Sequence, residues 1–304
     1  MKVLLNLVSW VGLLVWGALA FLGFYYWAGC DLGLGLGLAV VCLVLMGFFL
    51  FLARRYAQPK QTNDYSHKGV VKKWLFFGLY LLVSAVSAPW VLHGLALFGP
   101  VREAVQPAAT VQLQELRTII AKSETGPAPQ GSYLEFVDER MADYRRLNPN
   151  HRTDANELDA EVKDVQTLLT VKSGYPELRA KIKDLGEKAD GSVKDWNLLY
   201  VGQDLQELEK QKPVWTEKIV RMSETANSEK TVSINRAYRP AVTDAKGLTA
   251  RLFELRGENV TAVSVGLLVL LQLIIVFSWI YVCVDRMRAP VGARNAGGNL
   301  TTWS

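Results

Sequence analysis

Four apolar stretches constrain the fold of this chain more than any other feature of its sequence. They cover residues 3–28, 32–53, 74–98 and 261–284, and none has a Lys, Arg, Asp or Glu in its interior. Each holds about 20 predominantly apolar residues, enough to cross the roughly 30 Å hydrocarbon core of a bilayer as a helix. The sequence therefore predicts an all-α membrane protein with four transmembrane helices.

The long segment between the third and fourth stretches has a different character. Residues 101–258 carry 24 Lys and Arg against 26 Asp and Glu, so charges of both signs are frequent and nearly balanced. About 160 residues is an ordinary size for one water-soluble domain. The three cysteines, Cys30, Cys42 and Cys283, all lie outside it. We therefore predict a three-helix membrane region at 1–99, a disulfide-free helical domain at 100–258, and a final span with a short tail at 259–304.

The remaining basic residues predict the orientation in the membrane. Outside the domain there are ten Lys and Arg but only three acids. Short loops and tails rich in Lys and Arg stay in the cytoplasm. The loop at 54–73 and the tail after the fourth stretch are therefore predicted to be cytoplasmic, which makes both termini cytoplasmic and residues 100–258 extracytoplasmic. The loop residues are Arg54, Arg55, Lys60, Lys68, Lys72 and Lys73, and the tail residues are Arg286, Arg288 and Arg294.

The first stretch also has some features of a cleavable signal. Trp27-Ala28-Gly29-Cys30 approaches a lipobox, which would allow modification of Cys30. The apolar run is longer than a signal-peptide core, however, and a second stretch follows at once. We expect an uncleaved span, and lipidation of Cys30 is the alternative.

Within the domain, apolar residues recur at intervals of three and four. Narrow stripes of this kind are typical of helices that bury one face in a bundle or coiled coil. Caps predict helix starts at Ser132, Asp154 and Ser192, each followed by an acid three residues later. The stripes are Leu158, Val162, Val165 and Leu169; Leu178, Ile182 and Leu185; and Leu198, Val201, Leu205 and Leu208.

Turn residues and prolines predict where these helices end. Breaks are expected near residues 126–129, 148–150, 173–176 and 190–191. Pro176 and Pro213 suit the first turn of a helix, where a missing N–H costs nothing. We also expect the third span to extend outward to an interruption at Pro107, and the last domain helix, from about residue 214, to run into the fourth span.

Two features inside the predicted spans are candidates for function. Gly33, Gly35 and Gly37 alternate with leucine, and small residues allow another helix to approach closely, either in the same chain or in a second copy. His93 is the only ionisable side chain within a span, near the outer end of the third. It is a candidate pH sensor, although a neutral, hydrogen-bonded imidazole is the simpler interpretation.

No pattern in the sequence supports catalysis, a cofactor or a metal site. The motifs of serine hydrolases, zinc proteases and P-loop enzymes are missing, and we expect a protein that is not an enzyme and has no cofactor. The domain's one histidine, His151, has no second His or Cys to form a metal cluster. Its aromatic residues are candidates for a ligand pocket but are more often core; they include Trp196, Tyr200, Trp215 and Tyr238.

These observations favour a structural or interaction subunit of an envelope or surface complex. The helical bundle would dock partner proteins, and the glycine-rich spans would join a partner or a second copy. The basic loop could also attract anionic lipid, and no nucleic-acid partner is expected. The bacterial inner membrane is the preferred setting. Two alternatives remain: a sensor that binds a ligand in the bundle, and a subunit of an oligomeric channel.

Overall fold

Helices form all the regular structure in the residues described by the computed structural model, which are 2–57, 67–121, 127–147, 155–229, 238–240, 247–254 and 256–287. A short π-helical segment, Leu168–Lys172, follows α6, and a 3-10 turn, Gly257–Asn259, precedes α10. The α-helices are α1 (Lys2–Trp27), α2 (Leu32–Ala57), α3 (His67–Leu97), α4 (Pro100–Ile120), α5 (Tyr133–Leu147), α6 (Ala155–Thr167), α7 (Tyr175–Lys194), α8 (Val201–Glu229), α9 (Ala250–Phe253) and α10 (Ala262–Met287).

The chain divides into two compact units. Met1–Pro100 together with Glu254–Ser304 form one, which we name the apolar unit. Val101–Phe253 form the other, which we name the polar unit.

Three helices of the apolar unit are long and apolar enough to cross a membrane. They contain the segments Asn6–Trp27, Leu32–Tyr56 and Val71–Leu97. The all-helical prediction is thus confirmed for the described residues, and three of the four predicted spans are candidates by length and apolar composition. Ala262–Phe277 in α10 is a shorter apolar stretch, and the fourth span stays a prediction.

The helices of the apolar unit pack around α1, which contacts α2, α3 and α10. Trp16 and Phe24 of α1 are buried among side chains of the other three helices, including Met46 and Ile275. The outward faces carry large apolar side chains, among them Leu14, Val44, Leu82 and Leu270, that are more than half exposed. A core filled with bulky side chains and an apolar exterior is the pattern expected of helices whose solvent is lipid.

The polar unit buries the faces that the apolar stripes predict. Val162, Val165 and Leu169 are buried, as are Leu178 with Ile182 and Val201 with Leu205 and Leu208. The other stripe residues, Leu158, Leu185 and Leu198, are half-buried, and Leu198 lies in the turn before α8. The start of α5 is also confirmed, because Ser132 Oγ accepts a hydrogen bond from the N–H of Glu135 at 3.1 Å. Pro176 lies in the first turn of α7, as expected.

Two predicted boundaries within the polar unit are wrong. Residues 190–191 lie inside α7, so no helix starts at Ser192. Pro213 lies inside α8 rather than in its first turn. Glycine and proline weaken a helix interior, but burial of Ala189 and Val193 in α7, and of residues on both sides of Pro213 in α8, offsets that cost.

The predicted continuous helices at the ends of the domain are also wrong. The break after the third span falls at residues 98–99 and α4 then continues through Pro107. At the other end, Arg256 and Val260 have extended backbone on either side of the 3-10 turn. Thr261 and Ser264 then form a reciprocal cap, in which the Thr261 N–H donates to Ser264 Oγ at 3.0 Å and the Ser264 N–H to Thr261 Oγ1 at 3.2 Å. This cap starts α10 as a new helix.

Candidate functional site

Only one of the three predicted packing glycines lies at a helix contact in this chain. A Cβ placed on Gly35 would be 2.8 Å from the Cα of Tyr25, so α1 and α2 touch there through backbone. At Gly33 a Cβ would meet only the Asp31 side chain, at 3.4 Å, and at Gly37 it would meet nothing within 4 Å. Gly33 and Gly37 therefore face away from the other helices of the unit.

The closest helix approach in the apolar unit lies elsewhere, between α1 and α3. A Cβ on Gly23 would be 2.1 Å from the carbonyl oxygen of Trp90, and one on Gly94 would be 2.3 Å from that of Leu19. Both distances are far below a van der Waals contact, so each position requires glycine. The sequence contains this signal only as glycines in two apolar stretches, with nothing to indicate which pair meets.

His93 is buried in the same region of α3, with 2 % of its surface exposed. The Tyr26 ring meets it edge-on, with ring centroids 6.4 Å apart. Tyr26 is itself fully buried. The imidazole therefore lies in a packed aromatic environment, which suits the simpler interpretation of a structural histidine more than that of a residue lining an open path.

Most of the basic residues predicted for the loop lie on helices instead. Arg54 and Arg55 are in the last turn of α2, and Lys68, Lys72 and Lys73 belong to the first two turns of α3. Lys72 Nζ is 5.6 Å from the centroid of the Tyr56 ring, which joins the end of α2 to the start of α3. Lys60 and the side chain of Lys68 lie outside the described residues.

Arg54 differs from the other basic residues because it points into the apolar unit. Its Nη1 is 3.5 Å from Asn6 Oδ1 on α1, and it is close enough to Tyr80 on α3 to interact electrostatically. The hydroxyl of Tyr80 accepts a hydrogen bond from Gln272 Nε2 on α10 at 2.7 Å. All four helices thus contribute one polar side chain to a single cluster, which the sequence analysis missed.

Two further polar contacts join the helices of the apolar unit. Ser9 of α1 donates to the carbonyl of Ile275 on α10 at 2.8 Å. Trp16 Nε1 donates to Ser87 Oγ on α3 at 3.1 Å. Buried hydroxyl and indole groups therefore connect neighbouring helices of the apolar unit.

The polar unit contains a buried lysine that the sequence analysis also missed. Lys212 on α8 is 1 % exposed, and its ammonium lies 2.7 Å from Glu115 Oε2 and within hydrogen-bond reach of Gln112, both on α4. The signal was present in the spacing, since Lys212 follows Leu208 by four residues and so continues the buried stripe of α8. Pairing with Glu115 offsets the free energy that is lost when the lysine charge is removed from water.

A cluster of tyrosines forms the other notable feature of the polar unit. The rings of Tyr133, Tyr175 and Tyr238 pack together with that of Phe136. The Tyr238 hydroxyl donates to the carbonyl of Gly131 at 2.7 Å and the Tyr133 hydroxyl to that of Leu169 at 3.2 Å. Burial raises the pKa of all three tyrosines above its ordinary value, so they stay neutral at physiological pH and act in packing.

The four aromatic residues proposed as a ligand pocket are not brought together as one site. Trp196, Trp215 and Tyr238 are buried, whereas Tyr200 is 58 % exposed. Tyr238 packs on α5 instead. Among the described residues there is no group of three His, Cys, Asp or Glu that could hold a metal ion. His151 lies outside those residues.

Comparison with known proteins assigns no family. The chain matches no protein-family model, no curated protein and no solved structure. Function must therefore be argued from the packing and chemistry described above.

Proposed function

We propose that this protein is a membrane-anchored interaction subunit with little chemistry of its own. In this proposal α1, α2, α3 and α10 span the membrane, and the polar unit lies outside the cytoplasm and docks partner proteins of an envelope or surface complex. The bacterial inner membrane is the proposed setting.

The observation that carries the proposal is the close packing of the apolar unit. Backbone meets backbone where Gly23 faces Trp90 and where Gly94 faces Leu19. Trp16, Met46 and Tyr80 are buried to 2 % exposure or less. Substrate paths through membranes require polar groups around a cavity. Helices that are packed in this way favour the role of an anchor over that of a pore within one copy.

The chemistry of the polar unit supports the same proposal. The tyrosine hydroxyls of Tyr133 and Tyr238 are bound to backbone carbonyls. The buried ammonium of Lys212 is held by Glu115. These groups are used to hold helices together. The exposed surface, in contrast, mixes charges of both signs with a few large apolar side chains, among them Val171, Leu199 and Tyr200, and in this proposal it is the part that meets a partner.

The orientation rests on the basic residues at the junction of α2 and α3. A first test uses single cysteines in a chain whose native cysteines are replaced. Lys181→Cys on the exposed face of α7 should react with a membrane-impermeant maleimide in intact cells, and Arg55→Cys should react only after lysis. A reporter fused after Ser304 should be active in the cytoplasm. The opposite pattern would overturn the orientation.

The docking role is tested by crosslinking in cells, followed by purification in mild detergent and identification of every bound chain. A photoreactive residue at an exposed position of the polar unit, Lys181 or Glu207, should capture a second protein in stoichiometric amount. The matched position is Leu82, which is 59 % exposed on α3 and in this proposal faces lipid. A pure homo-oligomer would favour the sensor or channel alternatives instead.

A further inference from the structure

Two large apolar side chains are exposed in the turn between α7 and α8. Leu199 is 44 % exposed and Tyr200 is 58 % exposed, and they are adjacent in sequence. Scattered single apolar residues are normal on a soluble surface. An adjacent pair on a rigid turn needs an explanation.

The turn is held in place by backbone geometry. The N–H of Asn197 donates to the carbonyl of Ser192 at 2.8 Å, and that of Trp196 donates to Val193 at 3.2 Å. This is a Schellman motif at the end of α7. Its left-handed position is occupied by Trp196, with φ of +49°, where glycine is usual. A left-handed conformation is unfavourable for a non-glycine residue, and the indole of Trp196 is buried.

The other half of the turn is equally well ordered. Asn197 Oδ1 accepts from the N–H of Leu199 at 3.2 Å, and the carbonyl of Asn197 accepts from Tyr200 and Val201 at 3.0 and 2.8 Å. These bonds lead the chain directly into α8. Leu199 and Tyr200 are therefore presented in a fixed conformation, so little entropy is lost when they bind.

The turn lies at the end of the polar unit through which the chain enters. Gln106 Nε2 donates to the carbonyls of Val193 and Lys194 at 2.9 and 3.3 Å, at the end of α7. Gln106 is six residues after Pro100, and at 1.5 Å per residue this is about 9 Å along α4 from its start. The turn thus lies beside the second turn of α4, close to Val101, where the polar unit begins.

The chain also leaves the polar unit near this end. Glu209, about 12 Å along α8 from its start, accepts from the N–H groups of Gly247 and Thr249 at 2.7 and 3.2 Å. α9 begins at the next residue and ends at Phe253, the last residue of the polar unit. The residues that enter and leave the unit and the 195–200 turn therefore share one end.

We propose that Leu199 and Tyr200 insert into the headgroup region of the bilayer that holds α3 and α10, which rests on the function proposed above. Tyrosine has an apolar ring and a polar tip, and is enriched at this depth of a membrane. Leu199 adds apolar area. Lys194, exposed beside the turn, is placed to meet lipid phosphate, and the exposed Asp195 limits the net charge. In this proposal, membrane helices precede and follow the polar unit in the chain and hold it at the bilayer. A contact of small area is therefore enough to keep the turn there.

The test places an environment-sensitive fluorophore on cysteines at 199 and 200 in the full chain, with Cys30, Cys42 and Cys283 replaced, in nanodiscs. Quenching by a nitroxide on the lipid headgroup should be several-fold stronger there than at Val171. Val171 is a matched control, because it is 60 % exposed and lies beyond the other end of α7, roughly 30 Å away along that helix.

A second label separates this inference from the proposed function. Leu82→Cys on α3 should be quenched by a nitroxide deep in the acyl chains. If Leu82 is quenched but positions 199 and 200 behave like 171, the membrane contact is wrong and the proposed function stands. If Leu82 is not quenched, both are wrong. A turn that is shielded from aqueous iodide yet not quenched by lipid would be covered by another part of this chain or by a second copy of it, which overturns this inference alone.

Discussion

Glycine has different roles in the two units. In the apolar unit, several glycines of α1, α2 and α3 lie where two helices meet, as at Gly23, Gly35 and Gly94. In the polar unit, the glycines with left-handed backbone lie in turns, where Gly131 and Gly174 both have φ of +78°. Neither of these turn positions has a backbone contact that would exclude a Cβ.

The difference follows from the surroundings that the proposed function gives each unit, which are lipid for the apolar unit and water for the polar unit. Water drives the apolar stripes of the polar unit together, so glycine is needed there mainly for left-handed backbone. Lipid is as apolar as leucine, so helices in lipid gain no hydrophobic free energy when they bury leucine against each other. Helices in lipid gain stability from close packing and from hydrogen bonds between them. The contacts of Gly23 and Gly94 are therefore expected to be the main source of cohesion between α1 and α3.

Buried polar groups differ in the same way. The apolar unit joins helices through buried neutral groups such as Ser9, Trp16 and Ser87, and its charged Arg54 is only half-buried, in the last turn of α2. The polar unit buries a full charge on Lys212 and pairs it with Glu115. The following variants compare these two kinds of cohesion.

The largest effect is expected from Glu115→Leu. It removes the carboxylate that lies 2.7 Å from the ammonium of Lys212 and leaves that charge buried, which costs about 3 kcal/mol of folding free energy. Hydrogen exchange in the full chain should show a loss of protection in α4 and α8. The double variant Glu115→Leu with Lys212→Met should recover most of it.

A surface pair on the same helix provides the control. Glu217 and Arg221 form an ion pair with side chains 63 % and 74 % exposed. Glu217→Gln should cost at most about 0.5 kcal/mol. If Glu115→Leu is no more costly than Glu217→Gln, the buried pair does not hold α4 to α8.

The next largest effect is expected from Gly94→Ala in the apolar unit. The added Cβ would be 2.3 Å from the carbonyl oxygen of Leu19, so α1 and α3 must separate, at a cost of about 1–3 kcal/mol. Unfolding in mixed detergent micelles measures this. Gly78→Ala is the matched control on the same helix, because a Cβ there meets nothing within 4 Å. Equal stability of the two variants would refute the role of close packing.

Sequence patterns predicted the helices of both units better than their ends. The buried faces of α7 and α8 were predicted correctly because a helix in water buries the face that carries its regularly spaced apolar residues. The boundaries predicted at Gly191 and Pro213 were wrong. Inside a helix, glycine lowers stability by only about 1 kcal/mol and proline by about 3 kcal/mol, and packing on both sides of each residue outweighs that loss. The spacing of apolar residues therefore predicted these helices better than the positions of glycine and proline did.

The candidate site residues were harder to predict, particularly in the apolar unit. Gly33 and Gly37 were chosen from spacing, but which glycine meets another helix depends on how the helices are rotated. A uniformly apolar helix carries little signal for that rotation. The cluster of Arg54, Tyr80 and Gln272 is hidden for the same reason. In the polar unit, where one face is apolar, the stripe of α8 did contain the position of Lys212.

The tyrosine cluster predicts how the polar unit responds to alkali. Burial raises the pKa of Tyr133, Tyr175 and Tyr238 in the folded state, so the folded state favours their neutral form. The stability that they provide is fully present below the unfolded value of about 10 and is lost as the pH rises above it. Near-UV circular dichroism of the full chain should show the rings losing their fixed packing above about pH 10.

Tyr238→Phe separates this effect from general alkaline unfolding. It removes the hydrogen bond to the carbonyl of Gly131 and should cost about 1 kcal/mol at neutral pH. It should also make the loss of stability above pH 10 less steep, because one group that resists ionisation is gone. An unchanged alkaline slope in Tyr238→Phe would contradict the assignment.

The smallest effect is expected from Ser87→Ala, which removes the acceptor of the Trp16 indole. Hydrogen bonds between helices in membranes average about 0.6 kcal/mol, because the separated helices also find partners. The Ser87 hydroxyl also donates within α3, to the carbonyls of Val83 and Ser84, which alanine does not require. A double-mutant cycle with Trp16→Phe in mixed micelles isolates the pair. A coupling energy well above the cost of Gly94→Ala would mean that hydrogen bonding, and not close packing at Gly94, dominates cohesion in the apolar unit.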